Sequence, residues 1–272
     1  MYKFGFVSLS EIEEFRKMKL DDYRSQVSDY IEEGIVTYNA QCILIYCEDR
    51  KIGYFCVGKE KEFDNKILEF YLLNTYRKDA VHIISEALRI YGWDGWFVNS
   101  QDSFSLPLMI ELGYNYRISG LLFSYESNGN TQEYLNEYKF TAAKITEVNE
   151  IYDLIMQDGF YTGGSSDTLV DRINEIYLLK KENKILGAGF LSILQRTPQY
   201  ADLAMIIAPD ERQKGYGELI QIKLIDECFT KQLIPTAACD VDNVISRKTL
   251  QNAGYYLDGC LLLADVNKWN SI

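Results

Sequence analysis

The residues with the clearest chemical character lie in one stretch. Ala201-Asp202-Leu203-Ala204-Met205-Ile206-Ile207-Ala208-Pro209 has the composition of an apolar strand, and Asp210-Glu211-Arg212-Gln213-Lys214-Gly215-Tyr216-Gly217 that of a polar turn with two glycines. Leu219, Ile220, Ile222, Leu224 and Ile225 then follow at helical spacing, which puts the glycines at a helix N-terminus. Such a terminus offers unpaired N–H groups and the positive end of the helix dipole, so strand, glycine turn and helix together make an anion site. Loop amides combined with Arg212 and Lys214 suit a diphosphate. No Gly-Lys-Ser/Thr follows at Walker spacing, and the three-glycine dinucleotide pattern is missing. Asp202, at the start of the apolar strand, is the candidate proton acceptor. A carboxyl in apolar surroundings tends to a raised pKa, which suits a base working near neutrality. It is equally readable as a solvated strand-end carboxylate.

A second motif follows about 26 residues on. Cys239-Asp240-Val241-Asp242-Asn243-Val244-Ile245-Ser246 looks like a strand end followed by a helix start, and Leu250-Gln251-Asn252-Ala253-Gly254-Tyr255 like a helix end at a glycine. Asn243 is also a natural helix cap. Arg-x-x-Gly-x-Gly (Arg212, Gly215, Gly217), followed in this order by Asn-x-x-Ser (Asn243, Ser246) and Gly-Tyr, resembles the two cofactor motifs of the GNAT N-acetyltransferase superfamily. The resemblance implies acetyl-CoA as cosubstrate and CoA as product. Ile206 and Ile207 would present main-chain groups to the pantetheine arm. Arg212, Gln213, Lys214, Gly215, Tyr216 and Gly217 would hold the pyrophosphate. Asn243 and Ser246 would meet the pantetheine or adenosine end, with Lys248 a weaker phosphate candidate. Asp202 stands where the histone-acetyltransferase branch carries a glutamate base; its shorter arm favours action through water. The family's tyrosine acid, four residues before the helix-ending glycine, is here Leu250. Tyr255, Tyr216 and Tyr161 are substitutes that the sequence does not choose between, as is water itself. The acceptor pocket would be shaped by Gly159 to Asp167, with Tyr161, Asp167 and Asp171 as candidate lining.

The elements that must position these groups recur. Arg77-Lys78-Asp79-Ala80-Val81-His82, a helix, a strand at Trp96 to Asn99, Asp102-Ser103-Phe104-Ser105, a helix and Leu112-Gly113-Tyr114 repeat the order found around Arg212. Aligning the two puts Ala80 at Gly215, His82 at Gly217 and Asp102 at Asn243. A Cβ and an imidazole then replace the positions of closest approach, and a negative charge sits near the polyanion. Residues 1–126 are therefore expected to be a degenerate copy, 127–137 a polar linker, and 138–272 the catalytic copy. Each copy is expected to be mixed α/β, a mostly antiparallel sheet flanked by helices. Further expectations in the first copy are helices over about Ser10 to Lys19 and Tyr23 to Glu33, the latter stopped by Gly34. Hairpins are expected at Glu48 to Lys51 and Lys181 to Lys184.

Bulk composition bounds the rest. With 47% hydrophobic and 14% aromatic residues the chain is a folded protein rather than a disordered one. A net charge of −12 argues against nucleic acid or an anionic membrane as partner and is compatible with a cationic small-molecule amine. No secretion signal or membrane-length apolar run is visible, and the six cysteines lack metal or disulfide spacing, so a reducing cytoplasm is expected. His82 is the one histidine, which excludes a histidine-rich metal site and disfavours a Ser-His nucleophile. The other functions compatible with the motifs are a non-catalytic acyl-CoA-binding module and an aminoacyl transferase of the Fem type. The Fem type usually lacks the glycine loop.

Overall fold

The computed structural model describes residues 2–25, 28–126, 138–158, 166–182 and 184–266. The expected linker 127–137 and Tyr161 fall outside these residues, as does the side chain of Asp167. Two compact units result. One comprises Met1–Leu121 with Gly259–Ile272, the other Leu122–Asp258.

In the first unit β1 (Tyr2–Val7), α1 (Glu13–Lys19), α2 (Asp29–Val36), β2 (Gln41–Cys47), β3 (Arg50–Val57) and β4 (Lys66–Leu72) precede α3 (Ala80–Tyr91), β5 (Gly95–Asn99), α4 (Ser105–Glu111) and β6 (Asn115–Tyr125). Strands β1 to β4 pair antiparallel in sequence order, and Glu48 at φ 55° makes the tight β2–β3 turn where the hairpin was expected. Helix α3 buries Ala80, Ile83, Ile84 and Ala87, the helical spacing of one face, and ends at Gly92 in the left-handed conformation. Ser8 begins the helical region ahead of α1 through a capping box with Glu11. The second helix is shorter than the sequence suggests: it starts at Asp29, and Gly34, expected to stop it, lies inside it. Gly34 is buried there, and a Cβ would meet the Phe63 ring at 3.0 Å. Packing, not termination, explains this glycine.

The second unit repeats the order with β7 (Lys139–Ala142), α5 (Val148–Asp158), α6 (Ser166–Asp171), β8 (Ile176–Lys181), β9 (Lys184–Ile193) and β10 (Tyr200–Ile207). Then come α7 (Tyr216–Thr230), β11 (Ile234–Asp240), α8 (Val244–Asn252) and β12 (Tyr255–Asp265). The strands follow the order β7-β8-β9-β10-β11, with β10 and β11 parallel and the others antiparallel. Ala204 and Ile206 of β10 share a core with Val148, Ile151, Leu154 and Ile155 of α5, while Gly187 and Gly189 of β9 lie against Ile220 and Leu224 of α7. The two faces of β10 are thus separated by residue parity.

The long strands β6 and β12 were not anticipated. The end of β12 lies in the first unit, antiparallel to β5 through Leu261↔Asn99 to Asp265↔Gly95, and it buries Leu262, Ala264 and Val266 in that unit's core. The division at 126 and 138 drawn from sequence keeps 259–272 with the second copy, whereas the compact units assign them to the first. A turn-rich segment marks where the chain is polar, but strand pairing decides which body a terminal strand joins.

Candidate active site

Strands β10 and β11 form a parallel ladder only through Tyr200↔Ile234, Ala201↔Pro235 and Asp202↔Thr236. Beyond Asp202 the partners separate, although β10 runs on to Ile207 and β11 to Asp240. The result is a V-shaped opening with Asp202 and Thr236 at its apex and the turn after Ile207 at its mouth. Thr236, fully buried, fixes the apex by donating its hydroxyl to the Ala201 carbonyl at 3.0 Å.

At the mouth the chain turns from β10 into α7. Gln213 at φ 62° and Gly215 at φ 84° both adopt the left-handed conformation, and Gly215 occupies the N-cap position of α7. For Gln213 this is a conformation that side-chain residues take at a cost of about 1–2 kcal/mol, the kind of local strain that gathers at functional loops. A Cβ on Gly215 would meet nothing within 4 Å, so its glycine answers to backbone conformation alone. Gly217 differs. Its Cβ would come to 3.2 Å from the Thr249 Cγ2 of α8, so part of the reason for glycine here is helix packing. Together the loop and the first turn of α7 present a backbone cradle at a dipole's positive end, which fits a diphosphate.

The cations of the loop are only partly available. Glu211 accepts from Lys214 Nζ at 2.8 Å and from Lys184 Nζ at 2.5 Å, and these bonds, that from Lys184 first, hold its carboxyl down to about 2. Lys214, expected to meet phosphate, is therefore shared with Glu211. Arg212 donates its Nε to the Ile207 carbonyl at 3.3 Å, which orients the exposed guanidinium at the mouth. The side chain of Ile206 is buried in the core. Asn243 caps α8, accepting from the Ser246 amide at 3.0 Å, as its alternative reading held. Lys248 is an exposed residue of α8.

The apex holds the candidate base and a buried tyrosine. Asp202, partly buried, stands directly opposite Ser192 of β9. Tyr255 donates its hydroxyl to Gln221 Oε1 at 3.3 Å, and Gln221 Nε2 in turn donates to Met205 Sδ at 3.0 Å. Burial, aided by the charges of Cys228 and Asp202, pushes the Tyr255 phenol well above its ordinary value. A phenol so raised and already donating to Gln221 is poorly suited as an acid. Tyr216 lies at the start of α7 with its hydroxyl 3.5 Å from that of Tyr138, and Leu250 is core. Asp171 is exposed at the end of α6.

The first unit shows the same V with its space filled. Strands β4 and β5 pair only at Lys66↔Gly95 and Ile67↔Trp96, so Ile67 stands at the position of Asp202. Arg77 donates its Nε to the Leu72 carbonyl at 3.1 Å, five residues back, just as Arg212 reaches Ile207. This supports the alignment of Ala80 with Gly215 and His82 with Gly217. The rest of the Arg77 guanidinium is held by both Asp22 oxygens at 2.7 and 2.8 Å. Lys19, 1% exposed, enters the opening of the V and donates to the Phe70 carbonyl at 3.0 Å and to Asp102 at 2.6 Å. Asp102 also accepts from the amides of Phe104 and Ser105. It was expected to bring negative charge to a polyanion, but it is a buried member of an ion pair. Sequence reasoning missed this filling. The signal was present: Arg16, Lys19 and Asp22 recur at intervals of three residues in a helical segment, an inward-facing charged stripe. His82 is well exposed, near the ring of Tyr2 and 4.0 Å from Glu86.

Comparison with known proteins agrees with this geometry. Residues 8–126 match a model described as "Acetyltransferase (GNAT) domain" and residues 145–255 one described as "Acetyltransferase (GNAT) family". A search of curated protein sequences found no match. Among solved structures, a GNAT-family acetyltransferase from Colwellia psychrerythraea superposes with a TM-score of 0.86 at 18% identity, covering 97% of this chain and 99% of the other. A GCN5-related N-acetyltransferase from Sphaerobacter thermophilus does so with a TM-score of 0.66 at 8% identity, over 97% and 94% of the two chains. A tandem GNAT protein from the clavulanic acid biosynthesis pathway gives 0.64 at 9% identity, over 97% and 98%. At such identities the structures speak for the fold. With an acetyltransferase model matched in each half and the same V-shaped parting of strands in each unit, the chain belongs to the GNAT superfamily and carries two GNAT domains in tandem.

Proposed function

We propose that the protein is an acyl-CoA-dependent N-acyltransferase that uses acetyl-CoA to acylate a primary amine of a small molecule, by direct transfer in a ternary complex. On this reading the second copy is catalytic and the first, with Lys19 in its V and Arg77 held by Asp22, is degenerate. The observation that carries it is the open V of β10 and β11, with a strained glycine loop at its mouth and Asp202 at its apex. Gln213 to Gly217 and Arg212 hold the pyrophosphate, the edge of β10 up to Ile206 and Ile207 lines the arm, and Asn243 and Ser246 form the α8 side.

Acetyl-CoA supplies an activated acyl thioester at the apex. Asp202 takes a proton from the acceptor nitrogen, directly or through one water, as the C–N bond forms and the C–S bond breaks; the sulfur is protonated by water. An acyl-enzyme is disfavoured by the thiols. Burial raises Cys239, near the end of β11, and pushes Cys228 up to about 12, and only a thiolate is an effective nucleophile. A cytoplasmic, reducing location suits such free thiols.

The experiment is an amine screen with acetyl-CoA, following CoA release, on wild type and Asp202→Asn. Removal of a general base lowers kcat by about 10²–10⁴, and the variant should bind acetyl-CoA as wild type does. Full activity in Asp202→Asn removes Asp202 from the mechanism. Acetyl-CoA binding without turnover on any amine points instead to a non-catalytic binding module, and a requirement for charged transfer RNA to the Fem-type reaction.

A further inference from the structure

The apex of the V has a second polar group beside Asp202. Ser192 of β9 is the direct cross-strand partner of Asp202, so both side chains leave the same face of the sheet, with Cβ atoms about 4.5–5.5 Å apart. That face otherwise carries Phe190, Ala188, Ala204 and Ile206, packed under α5 and α6. The polar pair lies at its end, where the chain leaves α6. There Arg172 donates its Nη2 to Ser192 Oγ at 2.7 Å and its Nε to Glu175 Oε2 at 2.9 Å, and Ser192 donates to the same Glu175 oxygen at 3.2 Å.

The guanidinium is therefore held at Nε and Nη2 by groups on different elements, the Glu175 oxygen lying 2.8 Å from Nη2 as well. Its Nη1 has no partner among the described residues, and 44% of the side chain is exposed. An exposed Arg–Glu pair three residues apart is worth at most about 1 kcal/mol, which gives little reason for a planar fork to be held beside the apex. With Nε and Nη2 engaged, the two N–H groups of Nη1 remain as charged donors able to receive a carboxylate oxygen.

Distance agrees. From the mouth at Ile207 to Asp202 is five residues of strand, roughly 16 Å at about 3.3 Å per residue, so a cofactor arm running up β10 delivers its acyl end to the apex. The acceptor nitrogen must meet it there, next to Asp202 and one strand away from Arg172. A simple cationic amine would bring its positive charge towards a guanidinium. A zwitterion finds an opposite charge at each end.

We propose, resting on the acyltransferase reading above, that the acceptor is an amine carrying a carboxylate a few bonds from the reacting nitrogen, an amino acid, and that Arg172 binds this carboxylate. Ser192 and Glu175 position Arg172.

The test is acetylation of a pooled set of L-amino acids against the matching decarboxylated amines: ethylamine for alanine, phenethylamine for phenylalanine, cadaverine for lysine. Wild type is expected to favour the amino acids. Arg172→Gln should raise KM for the amino acid by about ten- to a hundredfold, the worth of a lost charge-assisted bond, leave the Kd of acetyl-CoA unchanged, and leave KM for the decarboxylated amine the same or lower. Arg172→Lys should recover only part of the loss, because an ammonium lacks the fork. Turnover of decarboxylated amines at equal or greater efficiency, or an unchanged preference in Arg172→Gln, overturns this inference while leaving the acyltransferase standing. Acetyl-CoA binding with no turnover of either set, and no calorimetric binding of the amino acids to the CoA-loaded protein, overturns both.

Discussion

Replacing Gly217 by aspartate separates binding from folding at the glycine loop. Gly217 is the second residue of α7, and an added Cβ would sit 3.2 Å from the Thr249 methyl, a contact that a shift of a few tenths of an ångström relieves. A carboxylate in the first turn of a helix is itself favourable by about 0.3–1 kcal/mol. Thermal stability should therefore stay near that of wild type or rise slightly. The pyrophosphate meets the opposite effect. At about 5 Å a unit charge repels another by about 1 kcal/mol in water and about 3 kcal/mol at an effective dielectric of 20. Two phosphate charges then make the loss at least about 2 kcal/mol, roughly thirtyfold in Kd. Calorimetric titration of CoA and acetyl-CoA reads this directly, and the deficit should shrink in high salt as screening grows. Gly217→Ala is the control, adding the same Cβ without the charge. A Kd for Gly217→Asp within threefold of wild type, with the fold intact, would refute the placement of the pyrophosphate. A deficit equal to that of Gly217→Ala would show that the charge plays no part.

Three further outcomes are expected. Lys19→Met leaves Asp102 buried without its cation and should lower the stability of the first unit by about 3–5 kcal/mol in urea unfolding, with one acetyl-CoA still bound per chain; unchanged stability would mean that the ion pair is dispensable. Glu211 is held below its unfolded value of about 4.3, so its contribution is present above that value and lost as the pH falls towards about 2. Glu211→Gln should abolish this part of the acid sensitivity, and an acid-unfolding curve parallel to wild type throughout would contradict the clamp. Truncation after Asp258 removes Leu261, Leu262 and Val266 from the first unit's cores. At about 1.5–3 kcal/mol each this is comparable to a whole domain's stability, so limited proteolysis should find residues 1–121 unfolded; protection of that region would show that β12 is not needed.

Local order was legible because local rules set it. The glycine loop follows from a strand, two glycines and a helix-spaced run. The β2–β3 turn fell where the sequence put it, and α3 and α7 appeared where their apolar spacing did. The repeat was visible as a recurrence of motifs, and its alignment is supported by two arginines that each reach five residues back to a strand carbonyl. Other features depend on what lies far away in the chain. Asn243 has one spacing to Ser246 whether it caps a helix or meets a ligand, and Gly34 looks the same whether it ends a helix or packs against Phe63. Lys214 lost its expected independence to Glu211, which also accepts from Lys184, 27 residues away.

The sequence alone therefore determined the family, the repeat and the loop, since each is written in spacings of a few residues. Only the tertiary structure decided that Lys19 meets Asp102 across 83 positions, that Arg172 is held by Ser192 beside Asp202, and that the end of β12 pairs with β5. The physical reason is that a buried charge needs a partner and a strand edge needs a neighbour. Neither requirement says where in the chain the partner lies.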